Sequence, residues 1–336
     1  MHRAISAAVL AAASLTARTD AATIDAAIIK VVPGQSIQAA IDGAADGDAI
    51  VVAAGVYDED LDFLGKAISV TGAGPSSVLH GTGTGPVVTF ASGETTASVL
   101  DSFLITGGNA AEGGGIYIDG GSPTIVRNVI ADNRAADRGS AVFLAASQAE
   151  LYNNLIVFNG TSGGDPHSVE IMGDADPVIV NNTIAKGDSN GLIVRPGAAP
   201  LIMNNIIANN GAKIDRERRG RGICDFSGGT AAIHYNLFHR NRVAALLTNG
   251  TDYRRMRGAQ RDIAPPRLLG NLDGPPRFQR KPASSATEAV VPDDFELRAT
   301  GSSRARDAGN ADPAFNDLDG TRNDLGFRGG PFAPAW

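Results

Sequence analysis

Large apolar residues return along this chain in columns, at intervals too long for a helix and too regular for chance. Three residues before a recurring polar marker lie Val99, Ile125, Leu151, Ile179, Ile202 and Ile233. Two residues after it lie Leu104, Ile130, Ile156, Ile184, Ile207 and Phe238. The marker is Asn128, Asn154, Asn182, Asn205 and Asn236, with Ser102 holding the place one unit earlier, and the steps are 26, 26, 28, 23 and 31 residues. A third column holds Val88, Ile116, Val142, Val169, Leu192 and Ile223. Its neighbours two positions on are Phe90, Ile118, Leu144, Ile171, Val194 and Asp225, and only the last is polar. Alternation with period two marks strands with one buried face. Each unit therefore carries three short strands, and stacking the units merges the columns into one core. Asparagine at the marker suits a left-handed bend, and its amide can bond the main chain of neighbouring coils. The fold class expected is all-β, a right-handed parallel β-helix of three sheets.

A solenoid exposes unpaired edges and needs caps. Residues 35–45 have the apolar spacing of a short amphipathic helix, and Ser36 can cap its start. The first strand is expected over Ala49–Ala53, followed by a turn at Gly55-Val56-Tyr57. At the very start, Arg3, an apolar run from Ala4 to Ala17 and small residues up to Ala22 read as an export signal. The expected organisation is thus a signal peptide over 1–22, the β-helix over 31–240 and an irregular C-terminal coil and cap over 241–336. Secretion to the periplasm, medium or cell surface follows. No later segment is apolar enough to span a membrane.

The composition fits this shape. Of 336 residues 43% are hydrophobic but only 5% aromatic, so aliphatics must fill the core, and 41 glycines supply the turns. One cysteine, Cys224, excludes an intramolecular disulfide framework. The net charge of −7 is uneven: residues 213–281 hold 15 of the 29 Lys and Arg, a local +9 against −16 elsewhere. Arg216, Arg218, Arg219 and Arg221 lengthen one turn there. Such a stretch suits contact with a polyanion, or protrudes as a solvated loop.

The segments Ser36-Ile37-Gln38-Ala39-Ala40-Ile41, Gly47-Asp48 and Gly55-Val56-Tyr57, with the asparagine column over 99–238, resemble the pectin-lyase-like superfamily of right-handed parallel β-helix proteins. The tail segments Asp293-Asp294-Phe295-Glu296-Leu297, Asp307-Ala308-Gly309-Asn310 and 317–326 resemble the end of bacterial secreted β-helix proteins of the choice-of-anchor Q type. The resemblance covers about residues 31–331. It implies a fold rather than a reaction, because the superfamily joins lyases, hydrolases, epimerases and adhesins. In its catalytic members substrate lies along the first sheet and the turns before it.

On that face alternation points Tyr117, Phe143, Glu170, Ile193 and Cys224 outward, then Asp119, Ala145, Met172, Arg195 and Phe226. Tyr117 and Phe143 could stack as a platform for a sugar ring. Asp137, Asp188 and Arg221 in the preceding turns join them as substrate-binding candidates. For a lyase on an acidic polysaccharide, Arg195 or Arg138 would neutralise the substrate carboxylate, His167 would abstract the proton, and Glu170 completes the catalytic candidates. The Trp-x-Asp-His segment of pectate lyases is absent, as is the Gly-His-Gly signature of the hydrolases. A polysaccharide-binding or structural surface role is therefore preferred to catalysis. Asp317, Asp319 and Asp324 invite a calcium reading through hard oxygen ligands, or else build a turn. The expected partner is an acidic polysaccharide and the expected state a monomer. No nucleic-acid partner is expected.

Overall fold

The computed structural model describes residues 26–164, 167–211, 220–263, 265–280, 290–298 and 303–336. The chain winds as a right-handed parallel β-helix. One complete coil runs through Ile116–Asp119 in the first sheet, Thr124–Val126 in the second and Val129–Ala131 in the third. Among the described residues the first and third sheets have nine strands each and the second ten. A small fourth sheet, Asn109–Glu112, Arg134–Arg138 and Gly160–Thr161, stands where the third sheet leads back to the first.

Branched aliphatics explain the register. Ile130 pairs with Ile105 and Ile156, Ile156 with Ile184, Ile184 with Ile207, and Ile207 with Phe238. All are buried in a single file along the axis. Their stiff side chains suit a pleated, close-packed wall. Two of the expected columns need correction in their first unit. Thr124, not Ile125, pairs with Val99, and Val129, not Ile130, pairs with Leu104. The buried residues there are Leu100 and Ile105. The cause is the turn. Ser102 has φ 62°, matching Arg127, Asn153, Asn181, Asn204 and Tyr235, all between 53° and 58°. Ser102 therefore aligns with the residue before the ladder asparagine, and a slip of one position exchanges inside for outside. The left-handed bend likewise belongs to that preceding residue rather than to the ladder asparagine itself.

The ladder works through main-chain donors. Asn128, Asn154, Asn182 and Asn205 each donate a backbone N–H to the Oδ1 of the next rung, at 2.7–3.0 Å. Their Nδ2 groups donate to carbonyls such as Leu100 O and Ile125 O, both at 2.9 Å. Phe103, which lacks a side-chain amide, still gives its backbone N–H to Asn128 Oδ1 at 3.0 Å. A second ladder lies five residues on, with Asn133 donating to Asn159 Oδ1 at 3.0 Å and Asn210 to Asn241 Oδ1 at 3.2 Å. Its rung at position 187 is a glycine, whose N–H reaches Asn210 Oδ1 at 3.1 Å. In both turns the ladder asparagines thus satisfy buried main-chain donors of the adjoining coil.

At the N-terminal end helix α1, Ile37–Gly43, covers the open core with Ile37 and Ile41. Ser36 caps it, accepting from Ala39 N at 3.0 Å. The first strand is Ile28–Val31, ahead of the expected Ala49–Ala53, and it pairs with Ala49–Val52. Gly55–Asp58 is a strand of the third sheet rather than a turn. At the other end the coils continue past 240, through Ala244–Thr248, Leu268–Leu269 and Leu272–Asp273, with helix α2, Met256–Asp262, between them. The tail then lies along the outside of the third sheet. There Phe295, Leu325 and Phe327 bury Val129, Leu155, Ile206 and Leu237. The side chains of Asn153 and Asn181 hold it by its carbonyls, at 2.9 Å to Phe327 O and 2.9 Å to Asp324 O. Among the described residues no helix is long and apolar enough to cross a membrane. The export signal over 1–22 and the arginines at 216, 218 and 219 lie outside the described residues.

Candidate functional site

The outward column of the first sheet has the register read from the alternation. Tyr117 pairs with Phe143, Phe143 with Glu170, Glu170 with Ile193, and Ile193 with Cys224. Outward does not mean exposed. Phe143, Glu170, Ile193 and Cys224 are all buried, and Arg138, at the end of a fourth-sheet strand, comes within 3.8 Å of Glu170. Gly139 permits the close return. It adopts φ +56°, and a Cβ there would stand 2.6 Å from Val142 O and 2.8 Å from Phe143 Cβ. The Tyr117 and Phe143 rings do stack, 5.3 Å apart at 15°. Phe143 is only 2% exposed, however, so the pair is wall rather than an open platform for a sugar. Burial and the neighbouring Asp119 raise the Tyr117 phenol above its ordinary value.

Beside this wall opens a cleft of about 610 Å³. Asp137 and Arg138 come from the end of the fourth-sheet strand Arg134–Arg138, His167 and Asn190 from turns, Arg195 from just past the strand Leu192–Val194 and Arg221 from the start of Arg221–Asp225. Ile193, Cys224, Phe226 and Leu247 form an apolar side. Of the expected catalytic group, His167, Arg138 and Arg195 therefore meet in one cleft. Glu170 is not on its surface but buried beside it. Of the expected substrate-binding group, Asp137 and Arg221 line the cleft. Tyr117, Phe143 and Asp188 do not.

The electrostatics are set by paired guanidiniums. Arg195 Nε donates to Glu170 Oε1 at 2.8 Å, and Arg138 Nε lies 3.8 Å from the same oxygen. Arg138 also pairs with Glu112. Burial pushes the Glu170 carboxyl up, against the pull of Arg195 and Arg138. Arg221 forms a two-point pair with Asp252, Nη2 to Oδ2 at 2.7 Å, and is only 12% exposed in its side chain. That pair raises the Arg221 guanidinium further. Arg138 and Arg195 keep 42% and 40% of their side chains exposed, so they are the cations the cleft presents.

His167 is held by Asn190, a residue no sequence motif flagged. Asn190 Oδ1 accepts from Gly220 N at 2.9 Å and Arg221 N at 2.7 Å, which fixes its amide orientation. Its Nδ2 then donates to His167 Nδ1 at 3.1 Å. A neutral imidazole so held carries its proton on Nε2 and acts as a donor. In that tautomer the Nδ1 lone pair is the one that faces Asn190. Phe226, 42% exposed at the cleft edge, is the aromatic surface a sugar could meet, and it was legible as the last outward residue of its column.

The tail carboxylates lie elsewhere. Asp317 accepts from Asp324 N at 3.0 Å and also from Gly330 N. Asp319 Oδ1 accepts from Thr321 N at 2.9 Å, and Asp324 Oδ1 from Asp307 N at 2.7 Å. These contacts build the tail's turns and tie its segments to one another. Among the described residues no group of three or more His, Cys, Asp or Glu stands ready to hold a metal ion. Burial raises Asp317, and raises Asp324 to about 6.

Residues 97–257 match the family model described as the right handed beta helix region. No curated protein matches the chain. Among solved structures, an alginate lyase from Paenibacillus sp. str. FPU-7 is 18% identical, over 66% of this chain and 80% of that one, at a TM-score of 0.43. The pectate lyase Pel9A is 12% identical, over 90% of this chain and 96% of that one, at a TM-score of 0.42. At these identities the likeness concerns the winding of the chain and not its chemistry.

Proposed function

We propose that this is an exported β-helix protein that binds an acidic polysaccharide in the cleft of its first sheet without cleaving it. The observation that carries this reading is the pair Arg138 and Arg195. Both line the cleft, both are partly exposed, and both stand beside an apolar side that includes Phe226. Guanidiniums suit carboxylate or sulfate groups, and an apolar strip suits the hydrophobic face of a sugar ring. The tail motifs support kinship with secreted β-helix proteins of the choice-of-anchor Q type.

The test is binding to pectate, alginate and glycosaminoglycans, with ultraviolet absorbance followed for unsaturated products. Retention that weakens with salt is expected, with no rise in absorbance. Arg195→Ala should weaken binding about tenfold, the worth of one charged hydrogen bond. Absence of binding to every polymer would refute the reading. A lyase is the second reading, favoured by His167 lying in the same cleft as both arginines. Unsaturated products lost in His167→Gln would establish it instead.

A further inference from the structure

Charge alternates across successive coils beside the cleft: Glu112, Arg138, Glu170, Arg195. The third member is the unusual one. Glu170 has no exposed surface, packed in its column between Phe143 and Ile193. One of its oxygens serves both arginines. The other, Oε2, makes no well-formed hydrogen bond among the described residues, with the Gly139 backbone also near the carboxylate. An under-satisfied carboxylate in a dry site is costly to keep, and an apolar residue would pack there more cheaply. Its neighbours in the column, Phe143 and Ile193, show that the position accepts apolar side chains.

We infer that Glu170 is the positioning residue of the anion site, gripping Arg195 and Arg138 at their Nε edges from beneath and so holding them on the cleft wall. Arg195 gives only its Nε to Glu170, which leaves its terminal Nη pair for a ligand oxygen. Glu170 itself does not line the cleft and touches no ligand. This role rests on the anion-binding reading above, yet it has a signature of its own. Coulomb's law alone says that deleting a negative charge beneath an anion site strengthens binding. A positioning role says the opposite, because an arginine released from its anchor must be ordered by the ligand instead.

The experiment compares Glu170→Met with Glu170→Gln. The two are close in volume, and both remove the charge, but only glutamine retains an oxygen that can accept from Arg195 Nε. Binding is measured with dextran sulfate, whose charge does not change with pH, and with pectate. The expected result is about tenfold weaker binding for the methionine variant than for wild type, the loss of one charged hydrogen bond. Glutamine should restore most of it. In an Arg195→Ala background the methionine substitution should cost clearly less than in wild type, since only Arg138, 3.8 Å from Glu170, is left to position. The Arg195 Nε–H signal, followed by nuclear magnetic resonance in unliganded wild type, should exchange with water far more slowly than that of an exposed arginine. This last measurement stands even if a variant fails to fold. Methionine binding as tightly as wild type or tighter, or a fast-exchanging Arg195 Nε–H, overturns the positioning role. Wild type that binds neither polymer overturns the anion-binding reading instead.

Discussion

Asn182→Ala removes one rung from the middle of the first ladder, and its cost can be worked from the contacts. Asn182 is fully buried. Its Nδ2 donates to Leu151 O at 2.9 Å, Val180 O at 3.1 Å and Asn205 Oδ1 at 3.1 Å. Its Oδ1 accepts from Asn154 N at 2.9 Å and Asn154 Nδ2 at 3.0 Å. Alanine leaves the Asn154 N–H with no acceptor in a dry turn, which costs about 1–3 kcal/mol. The remaining bonds are shared or have second partners, and together they add about 2 kcal/mol at a net worth near 1 each. The expected loss is therefore about 3–5 kcal/mol, large for a single substitution. Urea denaturation followed by circular dichroism reads the total. Amide hydrogen exchange localises it, and Asn154 should exchange at least about a hundredfold faster than in wild type. A loss under about 1 kcal/mol, or unchanged exchange at Asn154, would show that the rung is not what satisfies the turn.

Further expectations concern other parts of the molecule. Asp324 has its folded pKa raised to about 6, mainly by burial, from an ordinary 3.8. The folded state therefore holds a proton more readily than the unfolded chain, and this stabilisation is complete below about 3.8 and lost as pH rises through 6. Asp324→Asn should stabilise the tail at pH 8 by about 1 kcal/mol, allowing for partial exposure, with the difference vanishing below pH 4 in a thermal melt. Gly139→Ala places a Cβ against Val142 O and the Phe143 main chain at a positive φ. It should cost about 2 kcal/mol and raise protease sensitivity around 134–138. An unchanged melting point and digestion pattern would mean that the strand Arg134–Arg138 does not need its close return.

Much of the solenoid was legible because period-two alternation and the 26-residue step are direct consequences of stacked strands. The first-sheet column from Val88 to Ile223 has the register that its spacing implied. The slip at Ser102 arose because Phe103 stands where later coils have asparagine, so the nearest polar residue was matched instead. The second ladder had a signal of equal quality, an asparagine five residues after the first at 133, 159, 210 and 241, interrupted only by Gly187. The cleft was harder. Alternation tells which side of a strand a residue faces, but not whether another segment covers that side. Phe143 and Glu170 were therefore expected at the surface and are buried. The link from Asn190 to His167 joins residues on adjacent coils, 23 positions apart, and neither matches a motif.

The tail changes how this stack can come apart. A plain solenoid loses its coils one at a time from either end, because each coil touches only its neighbours. Here residues 310, 324 and 327 are tied to Asn204, Asn181 and Asn153, the bend residues beside three rungs in the body of the stack. Unzipping from the C-terminal end must first undo this latch, so the middle coils and the final residues should let go together. Pulled by its C-terminus in a force experiment, the molecule should yield in one large rip rather than a train of coil-sized steps.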